Sequence, residues 1–214
     1  MGNAAAAQAE FVFLGVKPYM VAELMEEIGP VLAARKDRFV LVSMAAALTI
    51  PDLRERGCGD WPLIRIMPNT PSAVGEGVIF YACDGVTESE QQAFLDAMSG
   101  AGRLLPLDDH LMDAGSAVAG CGPAFVDLFL EAMADGGVAC GLTRPMAMEC
   151  AAQTLIGAAK LMLATGTHPG ALKDAVCSPG GATIQGVRTL EKAGFRGAVM
   201  DAVIAAYEKS AQMK

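Results

Sequence analysis

Apolar stretches of two lengths alternate along the first half of the chain. The short stretches are rich in Val, Ile, Leu and Phe, whereas the longer ones repeat apolar residues at helical spacing. The short stretches predict strands at 11–16, 39–42, 63–67, 77–82 and 103–107. The longer ones predict helices at about 20–34 and 88–100. This alternation indicates an α/β sheet domain over residues 1–108.

The second half of the chain, residues 109–214, predicts helices only. Its apolar stretches are separated by Gly and Pro, as at Gly122-Pro123. One helix, predicted over about 144–164, has Glu149 and Lys160 as its main interior charges. A helix so poor in charge needs covering on several sides, so we expect an all-helical domain that forms an interlocked homodimer.

Composition narrows the class of protein. The chain is 53% hydrophobic and 19% charged, which permits a sizeable core, and its net charge of −8 disfavours nucleic-acid and anionic-membrane partners. The N-terminus lacks the pattern of a signal peptide. The six cysteines include no C-x-x-C pair, so we expect no metal site, a cytoplasmic location, and buried cysteines apart from Cys177.

The most informative segment is a Ser-Pro-Gly-Gly turn, Ser178 to Gly181, that leads directly into a predicted helix. Pro179 and the glycines end the preceding helix, and the next helix offers unpaired N–H groups and the positive end of its dipole. The hydroxyl groups of Ser178 and Thr183 lie beside this turn in sequence. A small molecule with a carboxylate and a neighbouring polar atom fits such a site. A plain turn between two helices is the alternative interpretation.

Residues spaced around this turn resemble the signature of the pyrroline-5-carboxylate reductases, which perform the last step of proline synthesis. The residues that carry the resemblance are Pro169, Leu172, Val176, Cys177, Ser178, Gly181, Thr183, Gly186, Val187, Leu190 and Glu191. Three further segments, at 16–18, 67–71 and 120–125, are similar to that family's "VKP", "MPNTP" and "GSGPAY" motifs in the same order. The resemblance therefore extends over nearly the whole chain.

This resemblance implies a truncated Rossmann-type NAD(P)-binding domain followed by a helical dimerisation and substrate-binding domain. It also implies reduction of 1-pyrroline-5-carboxylate to L-proline with NADPH or NADH, in a homodimer or a higher oligomer. The expected substrate-binding residues are Ser178, Gly180, Gly181, Ala182 and Thr183, with Thr183 also catalytic through a hydrogen bond to the ring nitrogen. The expected cofactor-binding residues are Val16, Lys17, Pro18, Ala45, Asn69 and Thr70.

Other interpretations of these residues stay open. A threonine at the position of Thr183 is also typical of a helix cap, and a lysine at the position of Lys17 is also typical of a solvated charge in a loop. Asn69 and Thr70 together are also typical of a simple turn. His168, which precedes a proline at a helix start, is predicted to be a cap or surface residue and not a proton donor. Ala47 departs from the family, which commonly has glycine at this position, and its Cβ is expected to crowd the cofactor.

The Gly-x-Gly-x-x-Gly turn that binds the cofactor pyrophosphate in such reductases is not found in the sequence. We therefore expect that the opening βαβ unit is missing, and with it the residue that selects NADPH or NADH. A working reductase and a non-catalytic dimeric remnant that binds proline-like carboxylates both remain as hypotheses. A 3-hydroxyacid type of dehydrogenase is disfavoured, because the entry to the interdomain helix, 113–118, contains no lysine.

Overall fold

The computed structural model describes residues 2–212, which divide into two compact units. One unit contains the residues up to Cys121 together with those from Ile204 onward, and the other is Gly122–Val203. The predicted division into 1–108 and 109–214 lies slightly earlier in the chain and stays a prediction. Of those ranges, Met1, Met213 and Lys214 lie outside the described residues.

The first unit is built on a five-stranded sheet in the order β1-β2-β3-β4-β5. The strands are β1 (Phe11–Leu14), β2 (Val40–Ser43), β3 (Leu63–Met67), β4 (Gly77–Asp84) and β5 (Gly102–Pro106). Strands β1, β2 and β3 are parallel, β4 is antiparallel to β3, and β5 is parallel to β4. All five predicted strands are confirmed within two residues at each end, and with them the α/β class of this unit.

Helices cover both faces of this sheet. Helix α2 (Val21–Ala33) buries an apolar stripe, repeated every three or four residues, against Leu14, Leu41 and Leu63. Helix α4 (Glu88–Met98) buries Phe94 on the opposite face. Thr87 begins α4 with a capping box to Glu90, whose pKa is held at about 2 by its hydrogen bond to Arg38.

The remaining helices are α1 (Asn3–Ala6), α3 (Ile50–Leu53), α5 (Met112–Gly115), α6 (Gly122–Ala139), α7 (Arg144–Thr165), α8 (Pro169–Ala175), α9 (Ala182–Lys192) and α10 (Phe195–Ala211). Short 3₁₀ turns lie at Pro18–Met20, Thr70–Val74, Ser99–Ala101 and Asp109–Leu111, and π-helical turns at Arg54–Cys58 and Ser116–Gly120. Between residue 109 and residue 212 the structure contains no strand, so the expected all-helical half is confirmed.

The helical unit has a small core made mainly of alanines. Ala134 of α6 packs with Ala147 and Ala151 of α7, and a Cβ at Gly137 would lie only 3.1 Å from the Cβ of Ala147. Small residues therefore let these two helices approach closely. Larger apolar side chains remain at the surface, including Leu128 with 69% of its area exposed and Met200 with 60%.

Leu128 is one of the residues that line an apolar groove of about 730 Å³ on this surface. The groove is lined by Phe125, Val126, Leu128, Phe129, Ala132, Met133, Leu190, Phe195, Ala198, Val199 and Ala202. The stretch Asp109–Ala139, which includes α6, is long and apolar enough to cross a membrane by length and composition. An 18-residue segment of this stretch has a mean hydropathy of 1.4, and 11% of that segment is buried.

The exposed helical surface also corrects one prediction. Cys58 is buried, and burial raises the pKa of its thiol to about 11. The expectation of buried cysteines is wrong for Cys140 and Cys150, which are exposed on the helical unit. Apolar neighbours in sequence do not bury a residue when the helix that carries it is itself uncovered.

Gly77 gives a test of the packing between β4 and β5. A Cβ at Gly77 would collide with Ser72 Oγ and lie 2.7 Å from the carbonyl oxygen of Ala101. We expect Gly77→Ala to lower the free energy of unfolding by about 1–3 kcal/mol in urea titrations. Gly100→Ala is the control, because no atom lies within 4 Å of its added Cβ. Equal stabilities for the two variants would contradict this account.

Candidate active site

The six residues expected to bind the cofactor follow three neighbouring parallel strands. Leu14 of β1 pairs in register with Ser43 of β2, which pairs with Arg65 of β3. Because the strands are parallel, their carboxyl ends meet at one edge of the sheet, where α/β sheets bind ligands. The structure therefore brings Val16, Lys17, Pro18, Ala45, Asn69 and Thr70 to a single edge.

The loop after β1 presents a lysine to solvent. Val16 is partly buried against the core below α2, whereas the Lys17 side chain is exposed. The Lys17 backbone is extended, and its carbonyl accepts the Met20 N–H at 2.9 Å to form the turn Pro18–Met20. Pro18 sets this turn because its ring fixes φ. An ordered turn therefore holds a cation at the ligand edge.

The loop after β2 contains a strained residue. Ala45 is buried, with 1% of its area exposed, and its N–H donates to Ser43 Oγ at 3.3 Å. Ala47 has φ +64°, in the left-handed region that favours glycine. This conformation gives a physical reason for glycine at this position, and Ala47 therefore carries backbone strain.

The loop after β3 contains two polar residues in different situations. Asn69 is half-buried, and its side chain accepts the Val78 N–H and donates to the Ala119 carbonyl, both at 2.9 Å. Thr70 is exposed at the start of the turn Thr70–Val74. Of the pair, Thr70 is the member whose side chain faces solvent.

A buried charge lies beneath this edge and was not identified from the sequence. Arg65 is 1% exposed, and its guanidinium donates to Asp109 Oδ1 at 2.7 Å. The other carboxylate oxygen of Asp109 accepts the Ile50 N–H at the start of α3, at 3.0 Å. The signal available in the sequence was a single charge inside the apolar segment Leu63–Met67, which requires a partner.

The Ser-Pro-Gly-Gly turn, in the other unit, has the open helix start that its sequence predicts. Its Gly181 N–H donates to the Ser178 carbonyl at 3.0 Å, and Gly180 has φ +69°. Helix α9 then begins after Gly181, which makes no side-chain capping bond. The five expected substrate residues thus lie within the six-residue segment 178–183, and Ser178, Gly180, Ala182 and Thr183 are exposed. This geometry suits an anion.

His168 and Thr183 were both open to interpretation as helix caps, and the structure distinguishes between them. His168 caps α8, since its Nδ1 accepts the Gly170 N–H at 3.0 Å, as predicted. At the start of α9 the cap position is Gly181, and Thr183 is the second helical residue. The Thr183 hydroxyl therefore makes no capping bond to its helix.

Comparison with known proteins places the whole chain in one group. Residues 109–213 match the family described as pyrroline-5-carboxylate reductase dimerisation. The pyrroline-5-carboxylate reductase of Pisum sativum is 43% identical over 203 residues, which cover 94% of this chain and 73% of the relative.

Two solved structures have a similar fold. The pyrroline carboxylate reductase of Plasmodium falciparum with NADP bound is 33% identical, with a TM-score of 0.89 over 100% of this chain and 80% of the other. The pyrroline-5-carboxylate reductase of Coxiella burnetii is 28% identical, with a TM-score of 0.90 at the same coverage.

The strain at Ala47 is directly testable. Ala47→Gly removes a non-glycine residue from the left-handed region, so we expect the free energy of unfolding to rise by about 1 kcal/mol. Ala46→Gly is the matched control, because φ at Ala46 is not positive. There the added freedom of the unfolded chain should lower stability by about 0.4–1 kcal/mol. Thermal unfolding of both variants that gives shifts of the same sign would contradict the assignment.

Proposed function

Because the chain belongs to the pyrroline-5-carboxylate reductase family, we propose that it reduces 1-pyrroline-5-carboxylate to L-proline with NADPH or NADH. In this reaction a hydride adds to the imine carbon and a proton to the ring nitrogen. The observation that carries the proposal is the uncapped start of α9 after the Ser-Pro-Gly-Gly turn. The proposal assigns the substrate to that turn.

The substrate carboxylate is held by backbone groups. The N–H groups of Ala182 and Thr183 belong to the first turn of α9, where helical N–H groups have no partner within the helix. The helix dipole adds a favourable interaction with negative charge. The exposed Ser178 hydroxyl supplies a further donor, and Gly180 and Gly181 allow close approach of the ligand.

Thr183 orients the imine in this proposal. Its hydroxyl is exposed and makes no capping bond, so it can hydrogen-bond the ring nitrogen of a substrate whose carboxylate lies at the helix start. Fixing these two points of a small ring determines where its imine carbon lies. Thr183 therefore acts by positioning the substrate and by stabilising the charge that changes on nitrogen.

The residues at the carboxyl ends of β1, β2 and β3 fit the nicotinamide end of the cofactor. Lys17 and Thr70 are exposed there, and the loop with Ala45 lies at the same edge. The chain contains no Gly-x-Gly-x-x-Gly turn for the pyrophosphate, and α2 follows β1 through the proline turn Pro18–Met20 instead. When bound, the cofactor supplies the hydride. The protein residues hold and orient it.

The enzyme is a homodimer. The apolar groove of about 730 Å³ and the exposed face of α6 are surfaces that a second copy covers, which also accounts for the apolar stretch Asp109–Ala139. We further propose a cytoplasmic location, with no nucleic-acid or membrane partner, supported by the net charge of −8. Association of dimers into a higher oligomer is part of the same proposal.

The activity is tested with two proteins, the chain itself and the chain joined at its N-terminus to the part of the Pisum sativum relative that it does not match. We expect the joined protein to oxidise NADPH when 1-pyrroline-5-carboxylate is present and not when it is absent, and the chain alone to be much slower. Binding of proline without any reduction by the joined protein would favour the non-catalytic remnant instead.

Variants of Thr183 in the joined protein test the proposed role of its hydroxyl. Thr183→Val keeps the shape and removes the hydroxyl, so we expect kcat/KM to fall about tenfold or more, equivalent to at least ~1.4 kcal/mol of transition-state stabilisation. Thr183→Ser should keep much of the activity. Because Gly181 occupies the cap position, both variants should melt near the parent temperature. An unchanged rate for the valine variant would remove Thr183 from the mechanism.

A further inference from the structure

Asn69 lies just beyond the end of the ladder between β3 and β4. Met67 pairs with Phe80, so the antiparallel register, continued by two residues, sets Asn69 opposite Val78. Strand β3 nevertheless ends at Met67, and the Asn69 carbonyl, which a continued ladder would offer to Val78, instead accepts the Ser72 N–H at 3.2 Å. The Val78 N–H therefore needs an acceptor at this point.

Pro123 creates the opposite need, for a donor, in the segment before α6. In an α-helix the carbonyl of Ala119 would accept from residue 123, but that residue is Pro123, which has no N–H and whose ring clashes with this carbonyl. This segment instead forms the π-helical turn Ser116–Gly120, which is closed by the Cys121 N–H donating to the Ser116 carbonyl at 3.0 Å. The Ala119 carbonyl is left without the usual helical donor.

The Asn69 side chain supplies both missing groups. Its Oδ1 accepts the Val78 N–H at 2.9 Å, and its Nδ2 donates to the Ala119 carbonyl at 2.9 Å. A carboxamide carries its acceptor and its donor on two separate atoms of one short side chain, so it can bridge two backbone groups. The orientation of the amide is fixed by its partners, because Val78 contributes a donor and Ala119 an acceptor.

We propose that Asn69 is a positioning residue: its amide bridges Val78 and Ala119, and so holds the Thr70 loop against the Ser116–Gly120 turn without contacting the cofactor. The role in catalysis rests on the proposed function. Asn69 begins the turn Thr70–Val74, since its carbonyl accepts the Ser72 N–H at 3.2 Å. A side chain fixed at both ends therefore determines where the exposed Thr70 lies at the ligand edge.

The first test uses hydrogen exchange on the 214-residue chain. Asn69→Asp keeps an acceptor for Val78 but faces an oxygen toward the Ala119 carbonyl. We expect the Cys121 amide to exchange at least tenfold faster, while the Val78 amide stays protected. Asn3→Asp makes the same charge change at an exposed site and should leave both amides unchanged. Unchanged exchange at Cys121 in the Asn69 variant would overturn the proposal.

The second test uses Pro123→Ala, which provides a backbone N–H four residues after Ala119. In the joined protein we expect Asn69→Asp to reduce kcat/KM about tenfold, with the cofactor KM raised and the substrate KM unchanged. The double variant should recover most of this loss, because the Ala119 carbonyl regains a donor. If the Asn69 variant unfolds, the same recovery is measured as the return of a cooperative melting transition in the double variant.

Two outcomes would overturn the proposal in different ways. Faster Cys121 exchange with unchanged kinetics would make Asn69 a purely structural residue. Loss of activity without recovery by Pro123→Ala would indicate direct contact with the cofactor. The parent protein is assayed in parallel, so that its inactivity would count against the proposed function alone, since the exchange test needs no activity.

Discussion

The ligand edge of the sheet depends on one ion pair, between the buried Arg65 and the partly exposed Asp109. A guanidinium that is 1% exposed is costly to bury unless a carboxylate neutralises it, so β3 and Asp109 must come together for the core to form. The same carboxylate also binds the Ile50 N–H, which fixes the start of α3 and hence the end of the loop after β2. One aspartate therefore sets two of the three loops expected to face the cofactor.

The two units reach stability by different means. The sheet unit buries large side chains on both faces of its strands, whereas the helical unit buries mainly three alanines. Pro123 removes a backbone donor before α6, and Gly180 and Gly181 precede the uncapped start of α9. The Asn69 side chain supplies a donor to the Ala119 carbonyl, for which Pro123 has none.

Much of this architecture could be predicted from the sequence, because the strands are short apolar segments and α2 repeats apolar residues every three or four positions. The direction of β4 could not, since it depends on the geometry of the Thr70–Val74 turn, and α1 and α3 are too short to show a period. The turn before α9 and its open helix start were predictable because proline and glycine act locally. The bonds of Asn69 were not, because Val78 and Ala119 are distant in sequence.

The thin core of the helical unit ties its stability to mass action. A fold that completes its apolar burial only with a second copy has an unfolding equilibrium that includes a bimolecular step, so its midpoint depends on protein concentration. Dilution therefore lowers the stability of this half of the molecule, as a mild denaturant lowers that of an ordinary domain. A cell that makes little of this protein would hold a larger fraction of it as exposed, protease-sensitive single chains.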